Sequence, residues 1–272
     1  MDVTPIITLL TDFGSQDTYV GVMHGVTAGI APQARVVDLT HAVSPQAVAE
    51  AAYLLDEAAP FFPQGTIHVA VVDPGVGTAR RIVCARTAGA TYLAPDNGLL
   101  TRVLERDPPL TLTSVEARKY FLPSISTTFH GRDIFAPVAA HLANGVLPGA
   151  LGPALGQPVT LDLPRPRDVG PGRTLGEVVH VDRFGNLITN LAVADLGEVV
   201  SLQLGSATIP GPTRRSYAER PEGELLLVSG SSGFLEVAVN AGSARERLQA
   251  ARGAVVEVTA RRPAPAAGGL AS

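Results

Sequence analysis

The chain has 272 residues, 46% of them hydrophobic, and a single cysteine, so it carries enough apolar material for a large folded core and excludes a disulfide framework or a cysteine-based metal site. A formal net charge of −4, with no Lys/Arg cluster interleaved with aromatics, excludes the electrostatic footprint of a nucleic-acid binder. No apolar stretch approaches the roughly 20 residues of a membrane span, and Met1–Pro5 has no basic segment, so a soluble cytoplasmic protein without signal peptide or membrane partner is expected.

Ile6–Leu10, Val36–Leu39, Ile67–Val72 and Ile82–Ala85 are short β-rich runs bounded by turn residues, and they read as strands buried on both faces. Between the first two, residues 21–30 carry apolar side chains at helical spacing. Ser44-Pro45-Gln46-Ala47 then predicts a second helix, with Ser44 at its cap and Pro45 in its first turn. Strand alternating with helix implies an α/β sheet with helical crossovers. A further helix is predicted over 134–144, ending near Gly145.

After Leu161 the text becomes rich in proline and glycine and loses periodicity. Beyond it, short runs at 176–181, 199–204, 224–228, 234–239 and 255–260 are spaced by Gly, Pro and Ser with little helical signal. The expected organisation is therefore an N-terminal α/β domain over 1–163, a linker over 164–173, a smaller C-terminal all-β barrel-like domain over 174–261 and a flexible tail over 262–272.

The chemistry-bearing residues gather at the ends of these elements. Asp12, in Thr11-Asp12-Phe13-Gly14, follows the first strand, where open α/β sheets bind ligands; it is either a hydrogen-bond acceptor for a diol or a turn aspartate. Val71-Val72-Asp73-Pro74-Gly75-Val76-Gly77-Thr78-Ala79-Arg80 ends an apolar strand on a carboxylate, and its Pro-Gly turn can bring Arg80 back towards Asp73; it is either a polar site or a plain turn. Cys84 lies in an apolar run and reads as a small buried hydrophobe, and Ala94-Pro95-Asp96-Asn97-Gly98 as a turn. His130, beside Gly131 in a polar loop, is the best functional candidate among six histidines, with a structural role as the alternative. Asp182, Phe184 and Asn186, around Gly185, place a carboxylate, a ring and an amide where a purine could be read, or form a plain β-turn. Ser229-Gly230-Ser231-Ser232-Gly233 is a carboxylate cradle or a flexible connector. No Walker loop, Gly-x-Ser-x-Gly elbow, His-Glu-x-x-His or Rossmann triple glycine is present, which disfavours the chemistries those motifs serve.

Taken in order, the motifs around Asp12, Asp73 with Arg80, Ala94-Pro95-Asp96-Asn97-Gly98, Phe129-His130-Gly131-Arg132-Asp133 and Asp182-Arg183-Phe184-Gly185-Asn186 resemble the S-adenosyl-L-methionine hydroxide adenosyltransferases, relatives of the S-adenosylmethionine-dependent fluorinase and chlorinase. The resemblance runs from Ile6 to Val258. It implies a homotrimer binding S-adenosylmethionine between the N-terminal domain of one subunit and the C-terminal domain of the next, and attack of water on the ribose 5′ carbon to release adenosine and methionine. Asp73, Arg80 and His130 would then activate the water, Asp12 hold the ribose hydroxyls, Asp182 and Ser231 the methionine end, and Asn186 with the backbone near Ala241 the adenine, beside the ring face that Phe184 offers to substrate. The sulfonium is already a good leaving group, so neither metal nor cofactor is expected.

Asp73 and Gly131 stand where the fluorinase has a tyrosine and a serine near the halide. A carboxylate there repels an anion, by about 1 kcal/mol at 4 Å even in water. Ser232 stands where the fluorinase has an arginine near methionine. Two alternatives remain open at this point: a trimeric module that binds adenosine or S-adenosylmethionine without turnover, and a chlorinase, which Asp73 opposes.

Overall fold

The computed structural model describes residues 4–261, and the chain divides into two units, Met1–Asp162 and Leu163–Ser272. The first contains β1 (Ile6–Thr11), α1 (Tyr19–Ile30), β2 (Arg35–Thr40), α2 (Val48–Ala58), β3 (Thr66–Val71), β4 (Ile82–Arg86), β5 (Ala90–Pro95), α3 (Thr101–Arg106), β6 (Thr111–Ser114) and α4 (Ala136–Ala143). Its strands form one sheet in the order β2-β1-β3-β5-β4-β6. The first four run parallel, and β4 is antiparallel to both its neighbours.

Successive residues of the central strands point to opposite faces, and each face has its own core. Ile7, Leu9, Val69 and Val71 pack with Met23 of α1 and Val138 of α4, while Leu10, Ala70 and Val72 pack with Ala51 and Leu55 of α2 and Val103 of α3. Covering both faces is what near-continuous apolar strands require. The expectation of two-sided burial fails for β2, the edge strand, in which Arg35 and Asp38 are exposed and the other residues only half-buried.

From β1 the chain goes to β2 on one side and then crosses to β3 on the other, so the carboxyl ends of β1 and β3 flank a topological switch point. Ligand crevices of open α/β sheets lie there. Local signals were overridden nearby. The second helix starts at Val48 and not at Ser44-Pro45, because Gln46 adopts a left-handed φ of 64° and donates its N–H to Asp12 Oδ2 at 2.8 Å.

The second unit contains β7 (Arg167–Gly170), β8 (Arg173–Val181), β9 (Leu187–Ala192), α5 (Val193–Leu196), β10 (Glu198–Leu204), β11 (Ala207–Pro210), β12 (Leu225–Ser229), β13 (Phe234–Val239), α6 (Ala244–Leu248) and β14 (Val255–Arg261). Its antiparallel path is β11-β10-β14-β8-β9-β13-β12, with β7 on β8, and β11 comes round against β12 to give a barrel-like sheet. Val178, Leu187, Leu202, Val237 and Val258 fill its core.

The expected linker over 164–173 is corrected by β7, whose Arg167 and Asp168 pair with Leu175 and Thr174. Pro164 and Pro166 precede the strand and Pro171 lies in its turn, so none removes a hydrogen bond from the ladder. The tail expected over 262–272 lies outside the described residues. Among those residues no helix is long and apolar enough to cross a membrane.

Candidate active site

Asp73 leaves the sheet just beyond β3, and the following turn reverses the chain, with Val76 N–H donating to Asp73 C=O at 3.2 Å and Thr78 N–H to Gly75 C=O at 3.2 Å. Arg80 is thereby returned to Asp73. Its Nε donates to both carboxylate oxygens, at 3.0 and 2.8 Å, and its Nη2 to Oδ2 as well. Both side chains are nearly buried, 5% exposed for Asp73 and 12% for Arg80. Gly77 is the residue that allows this packing. It has a φ of 77°, and a Cβ there would stand 2.3 Å from the Thr127 carbonyl oxygen, so the turn lies directly on the loop that carries His130.

Arg80 Nη2 lies 2.8 Å from His130 Nδ1. A guanidinium has donors and no acceptor, so Nδ1 must offer its lone pair, which fixes His130 as the neutral tautomer protonated on Nε2. Burial, and then the neighbouring Arg80 charge, hold the imidazole pKa below its ordinary value. The loop is itself braced: buried Asp133 accepts from Ser126 N–H at 2.7 Å and from Arg132 Nε at 2.6 Å. Residues 131–135 form a single π-helical turn leading into α4, a feature frequent at functional sites.

Asp12 leaves β1 at the same sheet edge, since Thr11 is opposite Val71 in the parallel β1–β3 pair. Beside it, Phe13, Tyr19 and Phe129 form a ring cluster with centroids 5.0 to 5.9 Å apart. The switch point thus joins a carboxylate, an ion pair with its histidine and an aromatic wall. Asn97, in the turn read as structural, donates Nδ2 to the Val72 carbonyl at 2.9 Å and so steadies the strand end bearing Asp73. Nothing in the local sequence signalled that contact, which spans 25 residues.

In the second unit a cavity of about 760 Å³ opens beside Asp182, Phe184, Asn186, Tyr217 and Ala241. Asp182 organises one wall: Oδ1 accepts from Phe184 N–H at 2.9 Å and Asn186 N–H at 2.8 Å, and Oδ2 from Asn186 Nδ2 at 2.8 Å. Gly185, with a φ of 83°, makes the turn possible; a Cβ there would lie 2.1 Å from Ser243 Oγ. Phe184 is consequently pushed outward, 76% exposed. Tyr217 was missed from the sequence, yet it lines the cavity with its hydroxyl 3.4 Å from Asn186 Nδ2 and donating to Glu236 at 3.3 Å. The only forewarning was an isolated tyrosine in a polar segment. Ser231, in the exposed turn between β12 and β13, does not line this cavity.

The remaining candidates are structural. Cys84 is fully buried, and burial pushes its thiol up to about 12. Asp96 accepts from Val159 N–H at 2.7 Å and pairs with Arg81 at 2.6 Å. Among the described residues no group of three or more His, Cys, Asp or Glu side chains is arranged to hold a metal ion.

Residues 7–152 match the model of the SAM hydroxide adenosyltransferase N-terminal domain, and residues 176–257 that of the SAM hydroxide adenosyltransferase C-terminal domain. The chain is 48% identical over 246 residues to a protein of Thermus thermophilus named (R)-S-adenosyl-L-methionine hydrolase, covering 88% of this chain and 93% of that protein. It is 30% identical over 290 residues to a fluorinase of an Actinoplanes species, covering 94% and 97%. The crystal structure of an uncharacterised conserved protein from Thermotoga maritima superposes with a TM-score of 0.88 at 38% identity, covering 93% of this chain and 99% of that one.

Proposed function

The chain belongs to the SAM hydroxide adenosyltransferase family, and from that premise we infer that it hydrolyses S-adenosyl-L-methionine to adenosine and L-methionine. The observation that carries the reading is the chain of contacts from Asp73 to Arg80 to His130 at the switch point. A site that only bound an adenosyl group would have no use for a carboxylate clamped by a guanidinium beside an imidazole held neutral.

In the reaction the water oxygen forms a bond to the ribose 5′ carbon while the bond from that carbon to sulfur breaks, its electron pair returning to sulfur as the neutral thioether of methionine. The water proton passes to Asp73 and from there to solvent, which balances the charge lost by the sulfonium. Asp73 is the base in this scheme. His130 cannot take the proton on Nδ1 without giving up its bond from Arg80. Arg80 and His130 therefore orient the carboxylate and stabilise the hydroxide-like oxygen as it forms. The departing thioether needs neither an acid nor a cofactor.

Asp12 accepts from the ribose hydroxyls in this reading. Phe184, Asn186, Tyr217 and the backbone at Ala241 receive the adenine, and Asp182 with Ser231 the methionine end. The half-site at β1 and β3 is completed by the second unit of a neighbouring subunit in a homotrimer, a reading supported by the family resemblance. The lone, buried Cys84 supports a cytoplasmic location.

The test is the origin of the product oxygen. Turnover in oxygen-18 water is expected to give adenosine labelled at the 5′ hydroxyl and unlabelled methionine, and excess chloride is expected not to divert it to 5′-chloroadenosine. Unlabelled adenosine, free adenine, a dominant chlorinated product or no turnover would overturn the reading.

A further inference from the structure

The loop that presents Asp12 is held by groups the reaction does not use. Thr11, the last residue of β1, is completely buried. Its Oγ1 accepts from Phe13 N–H at 3.1 Å and lies 2.8 Å from His41 Nδ1. The Asp38 carboxylate facing Nε2 can only accept, so the neutral His41 ring keeps its proton on Nε2 and its Nδ1 accepts from the Thr11 hydroxyl. Nε2 sits 3.1 Å from Asp38 Oδ1, a close polar contact, although neither Asp38 nor any other described group gives it an aligned hydrogen bond. The same oxygen meets His24 Nε2 at 2.8 Å. Burial would raise the Asp38 carboxyl, yet the facing His24 and His41 rings hold it below its ordinary pKa. The main chain follows the same route, with Gly14 N–H donating to His41 C=O at 2.8 Å.

We propose that Asp38, His41 and Thr11 form a positioning relay that fixes the Thr11–Gly14 loop and aims Asp12 at the ribose. Asp38 on β2 orients the imidazole, the imidazole orients the Thr11 hydroxyl, and the hydroxyl holds Phe13 N–H one residue beyond Asp12. Among the described residues Asp12 has one hydrogen-bond partner of its own, the Gln46 N–H on Oδ2, so its direction depends on the turn that carries it. A flexible carboxylate would lose rotational freedom on binding; one already aimed loses less. None of the three relay residues touches substrate in this scheme, and all act through Asp12. The proposal rests on the reading that Asp12 holds the ribose hydroxyls.

The experiment measures KM and kcat for S-adenosyl-L-methionine, together with Kd for adenosine by calorimetry. Thr11→Val, near-isosteric and lacking only the hydroxyl, is expected to raise KM and Kd roughly tenfold, the worth of one hydrogen bond, with kcat little changed. Thr11→Ser should restore wild-type values, and His41→Leu should match Thr11→Val. In an Asp12→Ala background Thr11→Val should have no further effect, because the relay then has nothing to aim. A raised KM for Asp12→Ala with an unaltered KM for Thr11→Val would overturn the relay alone. Additive effects of the two changes would overturn it in favour of a general structural role. An unaltered KM for Asp12→Ala would overturn the ribose assignment and the relay with it.

Discussion

The two candidate sites are built on opposite principles. At the switch point of the first unit, Asp73 and Arg80 are almost wholly buried and joined by several charge-assisted hydrogen bonds, and His130 is locked to them in one tautomer. In the second unit the cavity beside Asp182 is wide, and its aromatic wall includes Phe184 at 76% exposure. The first arrangement spends its order on a few atoms, as preorganised electrostatics requires. The second spreads contact over a ring-sized surface, as recognition of a flat, partly polar group requires. Rate should therefore reside in the Asp73–Arg80–His130 cluster, and affinity in the second unit and in the Asp12 loop.

The largest effect should come from breaking the first side of that division. Asp73→Asn keeps the shape and a hydrogen-bond acceptor but removes the proposed base, and kcat should fall roughly 10²- to 10⁴-fold while adenosine affinity stays near wild type. Single-turnover kinetics beside calorimetry would show it, and equal loss of both quantities would erase the distinction between the units.

Acid should separate them next. His68 on β3 is buried against Tyr92 with rings stacked 5.1 Å apart, and burial pushes its pKa from 6.5 down to about 4, assisted by the Arg106 charge. Between those values the unfolded chain holds a proton that the folded chain refuses, so stability falls as pH drops through the window, by about 3 kcal/mol in full. That loss belongs to the first unit. Hydrogen exchange between pH 6.5 and 4 should show β1 and β3 losing protection before β8 and β9, and His68→Gln should remove most of the difference.

Asp182→Ala tests the other side. It deletes the acceptor of two backbone N–H groups and of the Asn186 amide, so the cavity wall loosens. Kd should rise at least roughly tenfold, with kcat at saturation changed far less. A kcat loss comparable with that of Asp73→Asn would place chemistry in the second unit too.

The smallest signal is the most direct about assembly. At a substrate concentration too low to load the Asp182→Ala site, reassembling Asp73→Asn chains with Asp182→Ala chains should recover part of the activity if, as proposed, subunit interfaces unite the two halves. Mixed oligomers, verified by sedimentation, that stay inactive would mean each subunit carries a whole site.

Much of this was readable in one dimension. The β-rich runs at 6–10, 67–72 and 234–239 became strands within a residue or so, because apolar periodicity reports burial directly. Strand ends carrying Asp12, Asp73 and Asp182 stood out because a carboxylate ending an apolar run has to leave the core. Errors arose where a local signal lost to a distant partner. Ser44-Pro45 reads as a helix start, but Gln46 N–H has a better acceptor 34 residues away in Asp12. The Pro/Gly stretch around 164–173 reads as a linker, but β8 was available to pair with it.

The sequence alone determined which residue types end which strands, the two-part organisation and the family motifs, because these depend on local patterning and on order along the chain. It could not determine that Arg80 bridges Asp73 to a histidine 50 residues further on, that this bridge dictates the histidine tautomer, or that His41 and Asp38 stand behind the Asp12 loop. Those facts follow from strand order. Only when β3 crosses to the far side of β1 do Asp12 and Asp73 share one sheet edge, and only a glycine at position 77 lets the Arg80 turn settle on the backbone of the His130 loop.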